Sequence, residues 1–316
     1  MVPGGNPWCN NSVKILITGS TGLLGQALLS RAASSTDDVV GLSRHQPHGA
    51  TAGRHVVCDL TQAAHVAASF ARIQPALVIH AAALSNVDQC EQEPALARIA
   101  NVETTTHVVR ALNGSGARLL FISTDYVFDG RKVGPYDEDD LPNPLGVYAR
   151  SKREAEQVVL DYAHGIVVRP STLFGPGRMN FCDHVADRLA AGQLVEAFAD
   201  QVTSPTYTAD LAEALFALGR WLSAPGAEGR ARVYHLVNAG GCSRVEFAHC
   251  VADLTGCPRS LVRAIPMAAQ QRLAVRPCNS ALTSRYAPPM LERILRPWSE
   301  ALEAYLRQRH PLLRLT

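Results

Sequence analysis

Tyr148 and Lys152 stand four residues apart in the segment YARSK. On a helix, residues at that spacing share one face, one turn from each other. An ammonium beside a phenol favours the phenolate and lowers its pKa from about 10 toward neutrality. Such a phenol can hand a proton to a developing alkoxide or take one back. Upstream, an apolar run ends in Ser123-Thr124-Asp125, and Thr124 can hold the same substrate oxygen by a second hydrogen bond. These residues suit carbonyl reduction or its reverse, which needs a hydride carrier.

The place for a carrier is Lys14 to Gly25, KILITGSTGLLG. Lys14 to Thr18 reads as a buried strand, and the residues from Leu23 onward recur with a helical period. Between them lie Gly19, Gly22 and Gly25, with Ser20, Thr21, Leu23 and Leu24 around them. In a strand–turn–helix unit these glycines serve the tight turn, the approach of a pyrophosphate and close helix packing. The helix N-terminus offers free N–H groups and a partial positive charge to phosphates. A second strand, Val39 to Ser43, should end beside the adenosine ribose. An acid there favours NAD, and a base favours the 2′-phosphate of NADP. The chain has Ser43, Arg44 and His45 and no acid. That points to NADPH, with NADH as the alternative.

The elements that must position these groups follow in order. Arg54 to Cys58 reads as a strand, closed by Asp59-Leu60. Asp59 can meet the adenine amino group, cap a helix from Thr61 to Ala71, or both. Ala76 to His80 is the next strand, and Ala81, Ala82 and Ala83 after it allow a flat cofactor close to the backbone. Glu91 to Leu112 reads as one long helix. Arg118 to Ser123 and Gly165 to Pro170 are further strands, and a helix runs from Tyr148 through Leu160. Gly175-Pro176-Gly177 starts an excursion into a smaller lobe, with a helix over Phe181 to Ala191. Thr208-Ala209-Asp210 caps a helix to Trp221 that returns to the core. Val233 to Val237 is a strand, and Ser243 with Glu246 forms a capping box. The expected fold is α/β, a doubly wound parallel-sheet Rossmann domain (13–174 and 207–238) with a discontinuous C-terminal substrate lobe (175–206 and 239–316).

Composition limits the rest. The chain has 316 residues, enough for about two domains on the usual prior. A hydrophobic content of 47% with 18% charged residues is ordinary for a globular protein. The net charge of +2 gives no reason to invoke nucleic acid. No apolar run is long enough to span a bilayer. Residues 1–12 read as a disordered leader or a misassigned start, with no signal-peptide core. Cys242, His249, Cys250 and Cys257 invite a zinc reading, but their spacing fits no zinc template. The cysteines read as reduced thiols of a cytoplasmic protein, and no metal is expected. Arg276 suits a substrate phosphate or a helix-end salt bridge. Arg293, Arg296, Arg307, Arg309 and Arg314 read as a solvated face.

GSTGLLG, HAAA, STDYVFDG, YARSK and RPSTLFG occur in the order and spacing of the extended short-chain dehydrogenases. Within them the chain resembles the dTDP-4-dehydrorhamnose reductase family, on VDQCEQEP, on Tyr126 within STDYVFDG and on RPCNSAL. The resemblance implies a catalytic triad of Thr124, Tyr148 and Lys152, and a sugar pocket lined by Val87, Asp88, Asp125 and Tyr126. It implies a pyrophosphate loop at Gly19, Ser20, Thr21, Leu23 and Leu24, an adenine contact at Asp59-Leu60 and a nicotinamide-side loop at Ala81 to Ala83. Ser171 falls beside the nicotinamide ribose. The implied reaction is NADPH-dependent reduction of the keto group of a nucleotide-linked 4-keto-6-deoxysugar, with room for a homodimer. Thr172 stands where rhamnose-pathway members carry an aromatic residue, Ala149 where Gly is usual, and His80 where Asn is common. These departures leave room for another keto substrate. Two rivals share the motifs: an epimerase that retains NAD, and a regulatory subunit of methionine adenosyltransferase that binds NADP without turnover.

Overall fold

Strands with apolar residues on both faces must be covered on both faces, which favours a parallel sheet flanked by helices. The computed structural model describes residues 12–46, 54–227 and 229–309. The expectations for residues 1–11, including most of the leader, and for Arg314 lie outside them. The central sheet has seven strands: β1 (Lys14–Thr18), β2 (Asp38–Ser43), β3 (Arg54–Val57), β4 (Leu77–His80), β5 (Arg118–Ile122), β6 (Gly165–Arg169) and β7 (Val233–His235). All pairs are parallel, in the order β7-β6-β5-β4-β1-β2-β3. The order reverses between β1 and β4, and the crevice at their carboxyl ends is where such sheets bind ligands.

The helices are α1 (Leu23–Ala32), α2 (Ala63–Ile73), α3 (Val87–Gln92), α4 (Pro94–Arg98), α5 (Thr104–Leu112), α6 (Val147–Asp161), α7 (Phe181–Ala190), α8 (Thr208–Ser223), α9 (Arg244–Thr255), α10 (Met290–Ile294) and α11 (Trp298–Arg309). One face of the sheet packs on Leu28 of α1, Leu215 and Leu218 of α8, and Leu291 of α10. The other packs on Phe70 of α2, Val108 of α5 and Val159 of α6. A separate core joins Val185 of α7, Phe247 and Val251 of α9, and Leu302 and Tyr305 of α11. It also holds Val195 from a short parallel pair, Val195–Phe198 with Val262–Ile265. Leu291 and Leu295 thus pack on the sheet side, although they lie in the stretch assigned to the lobe. Among the described residues no helix is long and apolar enough to cross a membrane.

Several expected boundaries move. The long helix expected over Glu91 to Leu112 is interrupted twice. Glu93 leaves helical geometry before Pro94 restarts the chain, and a π-helical turn occupies Ile99–Glu103. Pro94 sits at the start of α4, where its missing N–H costs nothing. The helix expected from Thr61 starts at Ala63, and Asp59 does not cap it. Asp59 instead accepts from Thr61 N at 3.0 Å, closing a local turn. Thr208 and Asp210 do not cap α8, which has no side-chain cap. Asp210 takes Arg296 through both oxygens, at 2.8 and 3.0 Å. The Ser243–Glu246 capping box is present.

The glycine turn has little spare room. Gly19 adopts φ +68°, and a Cβ there would lie 2.6 Å from Ala82 N. A Cβ on Gly25 would lie 2.2 Å from Gly19 O and 2.7 Å from Ser20 Cα, both backbone atoms. Gly25→Ala therefore pushes α1 away from the turn. We expect a loss of about 1–3 kcal/mol of stability in denaturant melts, the usual cost of overpacking, together with weakened NADPH binding. Unchanged stability and cofactor affinity would refute this account of the turn.

Candidate active site

In the turn between β1 and α1, Gly22 N donates to Gly19 O at 2.9 Å and Ser20 N to Leu42 O at 3.3 Å, and the first N–H groups of α1 meet no capping side chain. Gly22 is the N-cap of α1, no side chain caps the helix, and no acid lies in its first turn. Thr21 is held by Gln26, whose Nε2 donates to the Thr21 carbonyl at 3.0 Å. Ser20 Oγ is buried without a partner among the described residues. The close approach of Gly19 to Ala82 brings Gly19–Gly25 and Ala81–Ala83 to one side of the crevice. These residues fit a dinucleotide diphosphate, which such a turn binds through backbone N–H groups. At the far end lie Ser43, Arg44, Asp59 and Leu60. Ser43 Oγ donates to His45 O at 2.7 Å and lies 2.9 Å from His55 Nε2. The Thr61 N–H holds the Asp59 carboxyl below its ordinary range, with Arg44 adding to the effect. Arg44 is exposed at the end of β2.

Tyr148 and Lys152 lie on α6, facing Thr124 at the end of β5. Tyr148 is half-buried and Lys152 is buried. Lys152 Nζ donates to the Ile122 carbonyl at 2.7 Å and lies 3.9 Å from the centroid of the Phe121 ring. Burial lowers the Lys152 ammonium to about 7, opposed by Glu156. Burial pushes the Tyr148 phenol well above its ordinary range, opposed by Thr124 and reinforced by Asp125. This reverses the direction expected from the Tyr–Lys spacing. The lysine is spent on a carbonyl and a ring face, so the phenol feels the protein wall more than the ammonium. A phenol kept protonated suits an acid that delivers its proton as oxygen becomes anionic.

The expected sugar-pocket residues divide. Tyr126 and Tyr148 meet edge to face, centroids 6.4 Å apart, and Gln201 Nε2 lies 3.5 Å from the Tyr126 hydroxyl. Asp125 is buried and spent internally: Oδ2 accepts from Ser171 at 2.7 Å and from Ser280 at 2.6 Å, and Oδ1 lies 3.1 Å from Thr124 Oγ1. Ser171 is therefore bound to Asp125 rather than left free for a ribose. Asp88 and Arg276 bind each other, at 2.7 and 3.1 Å, so Arg276 forms a salt bridge with a residue of α3. Arg276 in turn holds the Asp88 carboxyl below its ordinary range. Val87 begins α3 beside this pair and is half-buried. The expected solvated arginines are partly wrong too. Arg296 is bound to Asp210, and Arg309 pairs with Asp187 at 2.6 Å.

Sequence reasoning missed two arginines here. Arg244 donates to Thr172 Oγ1 at 3.1 Å and stacks on Phe181 at 4.8 Å. Arg272 stacks on Phe198 at 4.3 Å. Both lie near enough to Tyr126 to act on its phenol. Phe181 also lines a cavity of about 380 Å³ with Arg188, Glu196 and Gln270. No local pattern marks either arginine, because each meets its partners through the tertiary fold. His80 is buried between Thr18 Oγ1 at 2.6 Å and Thr105 Oγ1 at 3.1 Å, and burial with nearby Lys152 lowers it to about 3. It is a neutral strut. No group of metal-ligating side chains occurs among the described residues.

Behind Lys152, Glu156 accepts from Arg169 at 2.7 and 2.8 Å and from Ser123 at 2.6 Å. Glu156→Gln removes the charge that supports the Lys152 ammonium and leaves Arg169 buried without its counter-ion. The expected cost is about 3–5 kcal/mol, as for breaking a buried pair. The limb of the kcat–pH profile that follows Lys152 deprotonation should move to lower pH. Thermal melts and a pH–rate series check both effects, and an unmoved limb would refute the coupling.

Comparison with known proteins agrees with this geometry. Residues 13–310 match the family described as the RmlD substrate binding domain. A dTDP-4-dehydrorhamnose reductase of Streptomyces griseus is 37% identical, over 91% of this chain and 91% of the relative. A dTDP-4-keto-6-deoxy-D-glucose reductase of Streptomyces niveus is 30% identical, over 79% of this chain and 82% of the relative. The crystal structure of the dTDP-4-dehydrorhamnose reductase of Bacillus anthracis in complex with NADP superposes with a TM-score of 0.81, at 29% identity, over 94% of this chain and 99% of that one. A parallel sheet of this strand order, a glycine cradle at its switch point and a match across nearly the whole chain lead to one conclusion: the protein belongs to the RmlD family of extended short-chain dehydrogenases/reductases.

Proposed function

We propose that this chain is a reductase that converts the 4-keto group of a dTDP-linked 4-keto-6-deoxysugar to an alcohol, with NADPH as reductant. The observation that carries the reading is the convergence of Tyr148, Thr124 and Lys152 beside the glycine cradle. Bound NADPH supplies the hydride. Gly19 to Gly25 hold its diphosphate, Arg44 meets the 2′-phosphate, and Asp59-Leu60 meet the adenine. Ala81 to Ala83 flank the nicotinamide. Tyr148 enters protonated and gives its proton to the ketone oxygen as negative charge develops there. Thr124 donates a second hydrogen bond to that oxygen. Lys152, when charged, stabilises the phenolate left behind. Arg244 and Arg272, close to Tyr126, supply positive charge for the nucleotide diphosphate.

The named relatives, one of them in complex with NADP, support this reading over an NAD-retaining epimerase or a regulatory subunit. All the cysteines among the described residues are free, which suits a reducing cytoplasm. The expected homodimer is tested by sedimentation of the purified chain. The decisive assay is NADPH oxidation on adding keto sugar nucleotides, with NADH run alongside. Tyr148→Phe should bind NADPH normally and lose about 10²–10⁴-fold in kcat, the usual weight of a general acid. Near-normal turnover in that variant would overturn the mechanism.

A further inference from the structure

The Thr124 hydroxyl has one proton and two lone pairs. Tyr126 N already donates to it at 3.2 Å, and Asp125 Oδ1 lies 3.1 Å away. An ionised carboxylate can only accept. If Asp125 is ionised, the single Thr124 proton is drawn to Oδ1, and Thr124 has none to offer a ketone. If Asp125 carries a proton on Oδ1, the roles reverse. Thr124 then accepts from Asp125 and from Tyr126 N, and its own proton is free.

The other oxygen of Asp125 fixes where such a proton can sit. Ser171 and Ser280 each direct a hydroxyl to Oδ2, at 2.7 and 2.6 Å. Ser171 Oγ also accepts from Ser204 N at 3.3 Å. With both serine hydroxyls directed to Oδ2, a proton on Oδ1 is the one that leaves both serine bonds intact, and Oδ1 faces the Thr124 oxygen. We propose that Asp125 works as the neutral acid, donating from Oδ1 to Thr124 and so freeing the Thr124 proton for the ketone oxygen. Asp125 is then a positioning residue that acts through Thr124. This rests on the ketone-reduction reading above.

The surroundings agree. Asp125 is buried, and burial raises its carboxyl above the ordinary range against the hydrogen bonds from Ser280, Ser171 and Thr124. The charged or titratable groups facing it are Arg244 on α9, Tyr126 beside it and Tyr148 on α6. Only Arg244 carries a charge that favours ionisation, and it is shared with Thr172 and the Phe181 ring.

An asparagine reproduces the proposed state: its amide N–H can donate to Thr124, and its oxygen can accept from both serines. The test uses the full-length chain with NADPH bound. Infrared spectra of protein labelled with ¹³C-aspartate should contain a protonated-carboxyl band that is lost in Asp125→Ala or Asp125→Asn, whichever is folded by thermal melt. In turnover, Asp125→Ala should lose about tenfold or more in kcat with little change in NADPH affinity, as expected for one misdirected hydrogen bond. Asp125→Asn should recover kcat to within about threefold of the parent, a difference below one kinetic decade. Absence of the protonated band, or an Asn variant as impaired as the Ala variant, would overturn the proposal. A parent chain that oxidises no NADPH with any keto sugar nucleotide would count against the reductase reading, and the infrared band would still decide the state of Asp125.

Discussion

Glu156 is wholly buried on α6, and its carboxylate receives Ser123 from the end of β5 and Arg169 from the end of β6. Tyr148, Lys152 and Glu156 follow one another at four-residue steps, so they share one face of the helix. Fixing Glu156 against two strand ends therefore fixes how far along the sheet the phenol and the ammonium sit. Burying a charge pair costs heavily in desolvation and stabilises little by itself. Its effect here is on register: the helix cannot slide by a turn without stranding Arg169.

A second polar path supports the same helix from the other side. The π-helical turn at Ile99–Glu103 turns the Asn101 side chain inward. Asn101 accepts from Leu84 N at 2.8 Å and donates to Ser151 Oγ at 2.9 Å, and Ser151 donates to the Tyr148 carbonyl at 2.7 Å. Thr105, one turn on, donates to the Asn101 carbonyl at 2.7 Å and meets His80. The interruption of the helix thus joins the segment after β4 to the backbone of Tyr148. Such networks are costly when partly satisfied and rigid when complete.

The later part of the chain is tied to the sheet by the same means. Ser280 reaches Asp125, Arg276 reaches Asp88, and Arg296 reaches Asp210 beside Asn238. Each of the three arginine or serine contacts joins segments remote in sequence. Apolar packing holds the separate core of α7, α9 and α11 together, but it is not directional. Hydrogen bonds to carboxylates supply the direction.

The chain order alone determined the strand–glycine–helix cradle, the seven strands of the central sheet, and the pairing of Tyr148 with Lys152 on one helix. These follow from local rules: hydrophobic period, backbone freedom at glycine and the geometry of one helical turn. The tertiary structure decided the rest. It set the π turn that carries Asn101 to Leu84 and Ser151, whereas the break at Glu93 follows from Pro94 after it. It paired Arg276 with Asp88 across a separation of 188 residues, and it brought Arg244 and Arg272 to Tyr126 without any local mark. It also raised the Tyr148 phenol where the spacing to Lys152 suggested the opposite. A pKa sums desolvation and charge over everything that surrounds a group in space, whereas spacing in sequence reports only neighbours along the chain.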